Sequence, residues 1–314
     1  MNAGEFNPLG EHTISASGYT AVITESGAAV RSLTFNRRDL IVPFAQGESM
    51  PDYRGALVAP WPNRIPDGRY RFRGVDLQVP INEPAREAAL HGLVSHSPWT
   101  LLYREDASLC LRYHLQPSRG YPFSVLLHVK YWIDEVGFHT AVVATNTGSH
   151  AAPYGVCPHP YLVAGPSPLN DWILELNAGS FLDVTPDRLI PIRRVPVAGS
   201  AFDFRTPRPL GEVRIDNAFT ELEFGPDGRA HLRLTDPSGT GVAMSWDSAC
   251  GWVQLHTADH HIPERHRLGL AAEPMSCPPN AFNSEENLVL LPPGDVHEAA
   301  WSIHGIGGHQ GSGV

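Results

Sequence analysis

The sequence contains a single lysine, Lys130, among its 314 residues. A Schiff-base mechanism would have to use that one amine. Lys130 stands in LLHVKYWID, whose alternation is typical of a strand that carries one solvated charge. We therefore set Schiff-base chemistry aside.

Cysteine is also scarce, and no two cysteines form a CxxC pair. Closely spaced pairs mark zinc ribbons, and small disulfide frameworks need dense cysteines, so neither is indicated. We interpret the four cysteines as buried, reduced thiols: Cys110, Cys157, Cys250 and Cys277.

Long hydrophobic runs and excess positive charge are both missing. No stretch reaches the roughly 18 apolar residues of a membrane span, and the N-terminal MNAGEFNPLGEHT lacks a basic region followed by an apolar one. The formal charge of -10 disfavours nucleic acid and anionic membranes as partners. We expect a cytoplasmic monomer or homodimer that acts on a small, largely neutral molecule.

Helical periodicity is absent, and strand periodicity is abundant. The 29 glycines and 29 prolines would interrupt long helices repeatedly. Five stretches each contain two β-rich runs separated by turn residues, which predicts antiparallel hairpins in an all-β protein. They are YTAVITESGAAVRSLTF, GRYRFRGVDLQVP, WTLLYREDASLCLRYHL, FSVLLHVKYWIDEVGFHTAVVATN and AHLRLTDPSGTGVAMSW.

No fixed repeat, linker or shift in composition marks a domain boundary. We expect one sandwich domain over residues 1–304. Residues 305–314, GIGGHQGSGV, have little apolar surface and are expected to form a flexible tail, in which His309 has no chemical role.

Histidine is common, with 16 in the chain, and most are expected to be structural or exposed. His114, His128 and His139 stand on alternating strands and are assigned no catalytic role. The stretch LHTADHHIPERHR concentrates four more, but its spacing is not that of a helical zinc motif, so we expect a surface loop: His256, His260, His261 and His266.

Three titratable residues stand beside glycine or proline, where loops present side chains to a cleft. They are His91 in ALHGLVSHSPW, His159 in YGVCPHPYLV and Glu273 in LGLAAEPMSCPPNAFN. Each also has a plain structural interpretation: a capped turn, a proline-locked loop and a strand end at the surface.

The order PNRI, GRYRFRG, LHG, PHPY, IDNAF, VQLHT and AAEPM, from about residue 20 to about residue 304, resembles the aldose 1-epimerase (galactose mutarotase) family. The resemblance implies a β-supersandwich, no metal, no organic cofactor and a sugar in a shallow cleft across the large sheet.

Carried over by position, the resemblance implies that Glu273 is a general base and His159 a general acid. A hemiacetal opens when O1 loses a proton and O5 gains one, and a carboxylate and an imidazole suit these transfers. His91 would assist near O5. The resemblance also implies that Arg64, Asp216 and, less securely, Gln254 contact the sugar.

The loop APWPNRIP supplies further expectations, because Pro62 and Pro66 hold it stiff. Arg64 and Asn63 would face sugar hydroxyls, although an arginine paired with a carboxylate at the sheet edge is an alternative. Trp61 would offer a stacking face, with a buried core position as its alternative. For Asp216 the alternative is a turn-forming role.

Departures from the family pattern bear on the sugar. Pro158, Leu162 and Val163 stand where well-known mutarotases tend to have asparagine and Phe-Asn, so a preference for galactose is not assumed. The basic pairs Arg37-Arg38 and Arg193-Arg194 are the candidates for binding a sugar phosphate.

We therefore predict an isomerase that interconverts the α and β anomers of a free aldohexose. A silent carbohydrate-binding protein and an epimerase acting on a hexose 6-phosphate remain alternatives. A polysaccharide hydrolase or lyase is a third, but a hydrolase calls for two carboxylates and only Glu273 is a strong candidate.

Overall fold

The structure is a computed structural model that describes residues 10–307. Strands dominate it. In chain order, β1 to β27 are Glu11–Ala16, Tyr19–Thr24, Val30–Phe35, Arg38–Asp39, Leu57–Val58, Arg64–Pro66, Arg69–Phe72, Val75–Gln78, Ala88–Leu90, Thr100–Arg104, Ser108–Leu115, Val125–Ile133, Phe138–Asn146, Ala152–Tyr154, Cys157–Pro158, Tyr161–Leu162, Ile173–Leu176, Ala178–Val184, Pro191–Pro196, Arg208–Pro209, Asp216–Leu222, Arg229–Thr235, Gly241–Asp247, Trp252–His256, Leu270–Met275, Val289–Leu291 and Val296–Ile306.

Helix is limited to short segments in the described residues. One α-helical turn, α1, spans Ala281–Ser284. The single-turn 3-10 helices are Pro51–Tyr53, Pro84–Arg86, Leu169–Asp171 and Pro263–Arg265. Between residues 10 and 307, no helix has the length and hydrophobicity that a membrane crossing requires.

Two large antiparallel sheets organise the molecule. A nine-stranded sheet has the order β10-β11-β12-β13-β27-β23-β22-β17-β20, and a six-stranded sheet has the order β16-β25-β24-β21-β18-β19. A four-stranded sheet, β1-β2-β3-β4, and four two-stranded pairs complete the fold. The predicted all-β sandwich is confirmed.

The five predicted hairpins are all present: β2–β3, β7–β8, β10–β11, β12–β13 and β22–β23. Strands β12 and β13 alternate buried with mostly half-buried residues, so one face of each packs into the core. In β7–β8, Arg73 and Gly74 form the turn, with φ of 47° and 82°. Positive φ at both central residues matches the twist of a tight hairpin.

The last strand differs from the sequence prediction. β27 runs to Ile306, two residues beyond the expected boundary at 304, because Gly305 and Ile306 pair with Val242 and Gly241 of β23. Backbone pairing, which needs no apolar side chain, holds these residues in the sheet. Residues 308–314 of the predicted tail, including His309, lie outside the described residues.

Candidate active site

One face of the six-stranded sheet carries a row of polar side chains. In β21, β24 and β25, Ala218 lies opposite Gln254, and Gln254 lies opposite Glu273. Side chains alternate between the faces of a strand, so Asp216 and His256 share this face. The opposite face packs into the main hydrophobic core through residues such as Val253, Leu255 and Ala272.

Two further strand pairs bring the remaining predicted residues to this row. Arg64 of β6 pairs with Leu90 of β9, and the backbone N–H of His91 donates to the carbonyl oxygen of Asn63 at 2.9 Å. Asn63 and His91 both have positive φ, 55° and 56°, which turns their side chains away from the strand path.

His159 is held between β15 and β16. The proline on each side limits its backbone, and its carbonyl oxygen accepts a hydrogen bond from the Gly55 N–H at 2.8 Å. Cys157 pairs with Val58 just before it. The local sequence therefore presents the imidazole from a rigid segment.

His159 and Glu273 are in direct contact. Nε2 of His159 lies 3.3 Å from Oε1 of Glu273, and the two residues are 4% and 2% exposed. The thiol of Cys157 lies 3.9 Å from the other carboxylate oxygen, Oε2. His91 completes the group, with its ring centroid 4.8 Å from that of His159 and the planes 87° apart.

Burial controls the charge of these groups. It raises the pKa of Glu273 well above its usual value, and the nearby Asp216 carboxylate acts in the same direction. It lowers the pKa of His159 to about 3, with His256 adding to the effect. It also lowers the pKa of His91 well below its usual value. Both shifts favour a protonated Glu273 and a neutral His159, so the pair has no net charge.

A cavity of about 380 Å³ opens over the polar row, within the size range of small-molecule sites. A larger depression of about 1200 Å³ beside β7–β8 contains none of the predicted residues, so the smaller cavity is the candidate site. Its lining comprises Asp52, Tyr53, Asn63, Arg64, Glu83, Arg86, Leu90, His91, His159, Tyr161, Asp216, Gln254, His256, His260 and Glu273.

The location differs from the expected shallow cleft across the large sheet. The cavity lies on the six-stranded sheet, because β21, β24 and β25 carry the polar row. Its walls bury Glu273, His159 and His91 almost completely. Glu273 is in the middle of a buried strand rather than at a surface strand end.

Trp61 does not line this cavity. Its side chain is 2% exposed, its Nε1 donates to the carbonyl oxygen of Ala89 at 3.3 Å, and its ring packs edge-on against Phe282. The expected stacking face is therefore absent from the site, and the alternative core position describes the residue. A tryptophan side chain has a single N–H donor, and one backbone carbonyl is enough to satisfy that donor in a core.

Arg64 reaches the cavity while paired. Its Nε and Nη2 donate to Oε2 and Oε1 of Glu83 at 2.7 and 2.9 Å. Arg64 is therefore paired with a carboxylate and also lines the site, and its contact with sugar hydroxyls stays a prediction. No motif in the sequence had indicated a role for Glu83.

The sequence also missed two aromatic residues of the lining. The Tyr53 ring lies 4.7 Å from that of His91, and the Tyr161 ring lies 5.4 Å from that of His159, between centroids. Tyr161 belongs to the PHPY motif and was within reach of sequence reasoning. Tyr53 ends the 3-10 helix Pro51–Tyr53, and no motif around it indicated a place in the site.

The histidine-rich segment divides into two parts. His256 is the last residue of β24, so the expectation of a surface loop is wrong for it. His260 lies in the loop, as expected, and lines the cavity together with His256. His261 is exposed, as expected. The period of two from Gln254 to His256 could have identified the first of them.

Within residues 10–307, the cluster with metal-ligand geometry is His91, His159 and Glu273, whose ligand atoms lie within 4.8 Å of one another. Two imidazoles and a carboxylate can bind a divalent metal. The absence of a metal requirement stays a prediction.

The basic pairs lie elsewhere. Arg38 donates to the carbonyl oxygens of Ala164, Gly241 and Ile306. Arg194 pairs with Glu221 and Glu286. Neither pair is part of the cavity lining.

Comparisons with known proteins agree with this architecture. Residues 11–304 match the aldose 1-epimerase family model. The uncharacterized protein YihR of Escherichia coli K12 is 33% identical over 294 residues, which cover 93% of this chain and 92% of the relative. Human galactose mutarotase is 30% identical over 184 residues, 55% of this chain and 52% of that protein.

A solved structure shares the fold. The aldose epimerase homologue of C. elegans superimposes with a TM-score of 0.83 at 22% identity, covering 94% of this chain and 99% of that chain. Because the family model spans nearly the whole described chain, the protein belongs to the aldose 1-epimerase family and is an isomerase of the epimerase type.

Proposed function

We propose that this enzyme interconverts the α and β anomers of a free aldohexose by opening and reclosing the pyranose ring. The observation that carries the proposal is the 3.3 Å contact between His159 Nε2 and Glu273 Oε1, on the wall of a cavity lined by polar side chains. A buried acid–base pair at hydrogen-bond distance supplies both proton transfers that ring opening needs.

In the opening step, Oε1 of Glu273 accepts the proton of O1 while Nε2 of His159 donates a proton to O5. The C1–O5 bond breaks, and C1 becomes an aldehyde carbon. Glu273 is then protonated and His159 neutral. Rotation about C1–C2 presents the other face of the aldehyde, and the reverse transfers close the opposite anomer.

The pKa shifts favour the state of this cycle that follows ring opening. Burial raises the pKa of Glu273 and lowers that of His159, which favours the neutral pair that accompanies the open-chain aldehyde. The ion pair that opens the ring, with Glu273 ionised and His159 protonated, has the same number of protons as the neutral pair. The two states differ by the transfer of one proton between Oε1 of Glu273 and Nε2 of His159, which lie 3.3 Å apart.

The other lining residues would hold the sugar. The Nη1 donors of Arg64, the side chains of Asn63 and Gln254, and the carboxylate of Asp216 offer both donors and acceptors to adjacent hydroxyls. His91 would hydrogen-bond O5 or a neighbouring hydroxyl. Such a lining suits a neutral polyol, whose hydroxyls both donate and accept hydrogen bonds.

The test follows the optical rotation of freshly dissolved α-D-glucose and α-D-galactose. We expect the wild-type protein to accelerate the decay, and Glu273→Gln to lower kcat by at least about 100-fold. Glu264→Gln, which changes an exposed carboxyl group, is the matched control and should retain full activity. Prior dialysis against EDTA should leave the rate unchanged.

Two results would redirect the proposal. Sugar binding without acceleration for any of several aldoses would favour a silent carbohydrate-binding protein. A rate on glucose 6-phosphate that exceeds the rate on glucose would favour the phosphorylated substrate.

A further inference from the structure

One edge of the Arg64 guanidinium is hydrogen-bonded to the carboxylate of Glu83. Nε and Nη2 make two parallel hydrogen bonds to Glu83, at 2.7 and 2.9 Å, and the arginine side chain is only 9% exposed. A bidentate pair of this kind fixes the plane of the guanidinium as well as its position. Nη1, which lies 3.4 Å from Oδ1 of Asn63, is the end left to serve a ligand.

The loop that carries Glu83, residues 79–88, is braced on the side of β9. Asn82 Oδ1 accepts from the Leu90 N–H at 2.6 Å, and Asn82 Nδ2 donates to the Leu90 carbonyl oxygen at 2.8 Å. The backbones of Glu83 and Ala88 bond to each other at 3.1 and 3.3 Å. The backbone of Glu83 is thereby tied to the strand that precedes His91.

The same loop is braced on its other side by the turn between β18 and β19. Nη1 of Arg86 donates to the carbonyl oxygen of Asp187 at 2.6 Å. In return, Nε and Nη2 of Arg188 donate to the carbonyl oxygens of Arg86 and Glu87 at 2.9 and 2.8 Å. These reciprocal bonds hold the loop in place independently of any ligand.

We propose that Glu83 is a positioning residue for the sugar: it orients Arg64 so that Nη1 faces the bound hydroxyls. This inference rests on the proposed function. A carboxylate fixed by its loop pre-organises the guanidinium, so that little ordering remains when the sugar binds. Without Glu83, the buried guanidinium loses both bonds of the bidentate pair and reorients toward other acceptors.

Hydroxyl contacts from Arg64 are made in the ring form and in the transition state alike. Their loss is a loss of uniform binding, which raises KM and leaves kcat nearly constant. The proton transfers at His159 and Glu273 do not involve Glu83 directly. A split between the two kinetic parameters therefore separates positioning from general structural damage.

The experiment compares Glu83→Gln with the wild-type protein by polarimetry and by calorimetric titration with the sugar. We expect KM and the sugar dissociation constant to rise about ten-fold, because the sugar loses one hydrogen bond to the charged Arg64. The value of kcat should stay within about three-fold of the wild type. Glu83→Asp keeps the charge on a shorter side chain and should give an intermediate KM. Glu87→Gln, an exposed position in the same loop, should match the wild type.

A second arm places Glu83→Gln in an Arg64→Lys background. If Glu83 acts through Arg64, the added substitution changes KM little in this background, whereas an independent role would add its full effect. Full additivity, an unchanged KM for Glu83→Gln, or a fall in kcat at constant KM would each overturn the inference.

The design separates this inference from the proposed function. If the wild-type protein turns over no aldose, the proposed function fails, and the calorimetric affinities of the Glu83 variants still decide the positioning role. If the wild-type protein is active and Glu83→Gln matches it in KM and affinity, the positioning role alone fails.

Discussion

Gln254 donates a hydrogen bond from Nε2 to Oδ1 of Asp216 at 2.7 Å, joining β24 to β21 on the face that lines the cavity. Nδ1 of His256 lies 3.7 Å from Oδ2 of the same carboxylate. Asp216 is thus linked to both of its polar neighbours on β24. The two predicted sugar contacts, Asp216 and Gln254, form one hydrogen-bonding unit.

This unit makes a prediction about coupling. Asp216→Asn and Gln254→Leu should each raise KM about ten-fold, because the first removes the charge of the acceptor and the second removes the donor of one charged hydrogen bond. The double variant should raise KM by far less than the product of the two effects, since the interaction is lost only once. Polarimetric KM values for the four proteins measure this, and strictly multiplicative effects would show that the residues act separately.

His159→Asn should separate catalysis from binding. The asparagine fills similar space but cannot carry the proton to O5, so we expect kcat to fall about 100- to 10,000-fold with KM changed by less than about three-fold. His261→Asn, at an exposed position, is the control. Equal losses in kcat and in sugar affinity would contradict the role of general acid.

Burial of His159 also predicts how stability depends on pH. Its pKa is about 3 in the folded protein, against 6.5 for an exposed imidazole, so the unfolded chain binds the extra proton first as the pH falls. The folded state therefore loses stability through this group between about pH 6.5 and pH 3, by at most about 1.4 kcal/mol per pH unit. His91 acts in the same direction.

Glu273 acts in the opposite direction, because its raised pKa makes the folded state the tighter proton binder above pH 4.5. His159→Asn removes one acid-sensitive group, so its free energy of unfolding should fall less between pH 7 and pH 5 than that of the wild type. Urea titrations at pH 7, 6 and 5 measure this. Parallel curves for the two proteins would indicate that His159 titrates normally in the fold.

Gly92→Ala should displace His91. A Cβ at Gly92 would lie 2.0 Å from the carbonyl oxygen of Ala59, and φ is 68°. We expect a loss of at least about 2 kcal/mol in the free energy of unfolding, together with reduced kcat, because backbone must move to relieve the clash. Gly74→Ala is the matched control, since φ there is 82° but nothing lies within 4 Å of the added atom. Gly74→Ala should lower the free energy of unfolding by only about 1 kcal/mol.

Local periodicity predicted the hairpins because neighbouring strands in this chain are joined by short turns rich in glycine and aspartate. It did not predict the order of strands in the sheets. β27 lies between β13 and β23, a pairing set by packing across the whole domain rather than by a local pattern. The core position of Trp61 is likewise a tertiary outcome that its loop sequence did not reveal.

The site residues were predictable from motifs rather than from hydrophobic periodicity. His159 and Glu273 are far apart in the chain, and only the family resemblance joined them. Glu83 had no motif, because its role depends on a side-chain pair with Arg64 across a loop. Residues that act on a motif residue, rather than within the motif, are the ones that a single sequence conceals.

The central place of β27 has a consequence for synthesis of the protein. β13 and β23 are neighbours only through β27, which pairs with both. A nascent chain that ends before residue 296 therefore exposes two unpaired strand edges in what becomes the middle of the nine-stranded sheet. Unpaired edges invite pairing with other chains, so closure of this sheet, and protection from aggregation on the ribosome, must await the final strand.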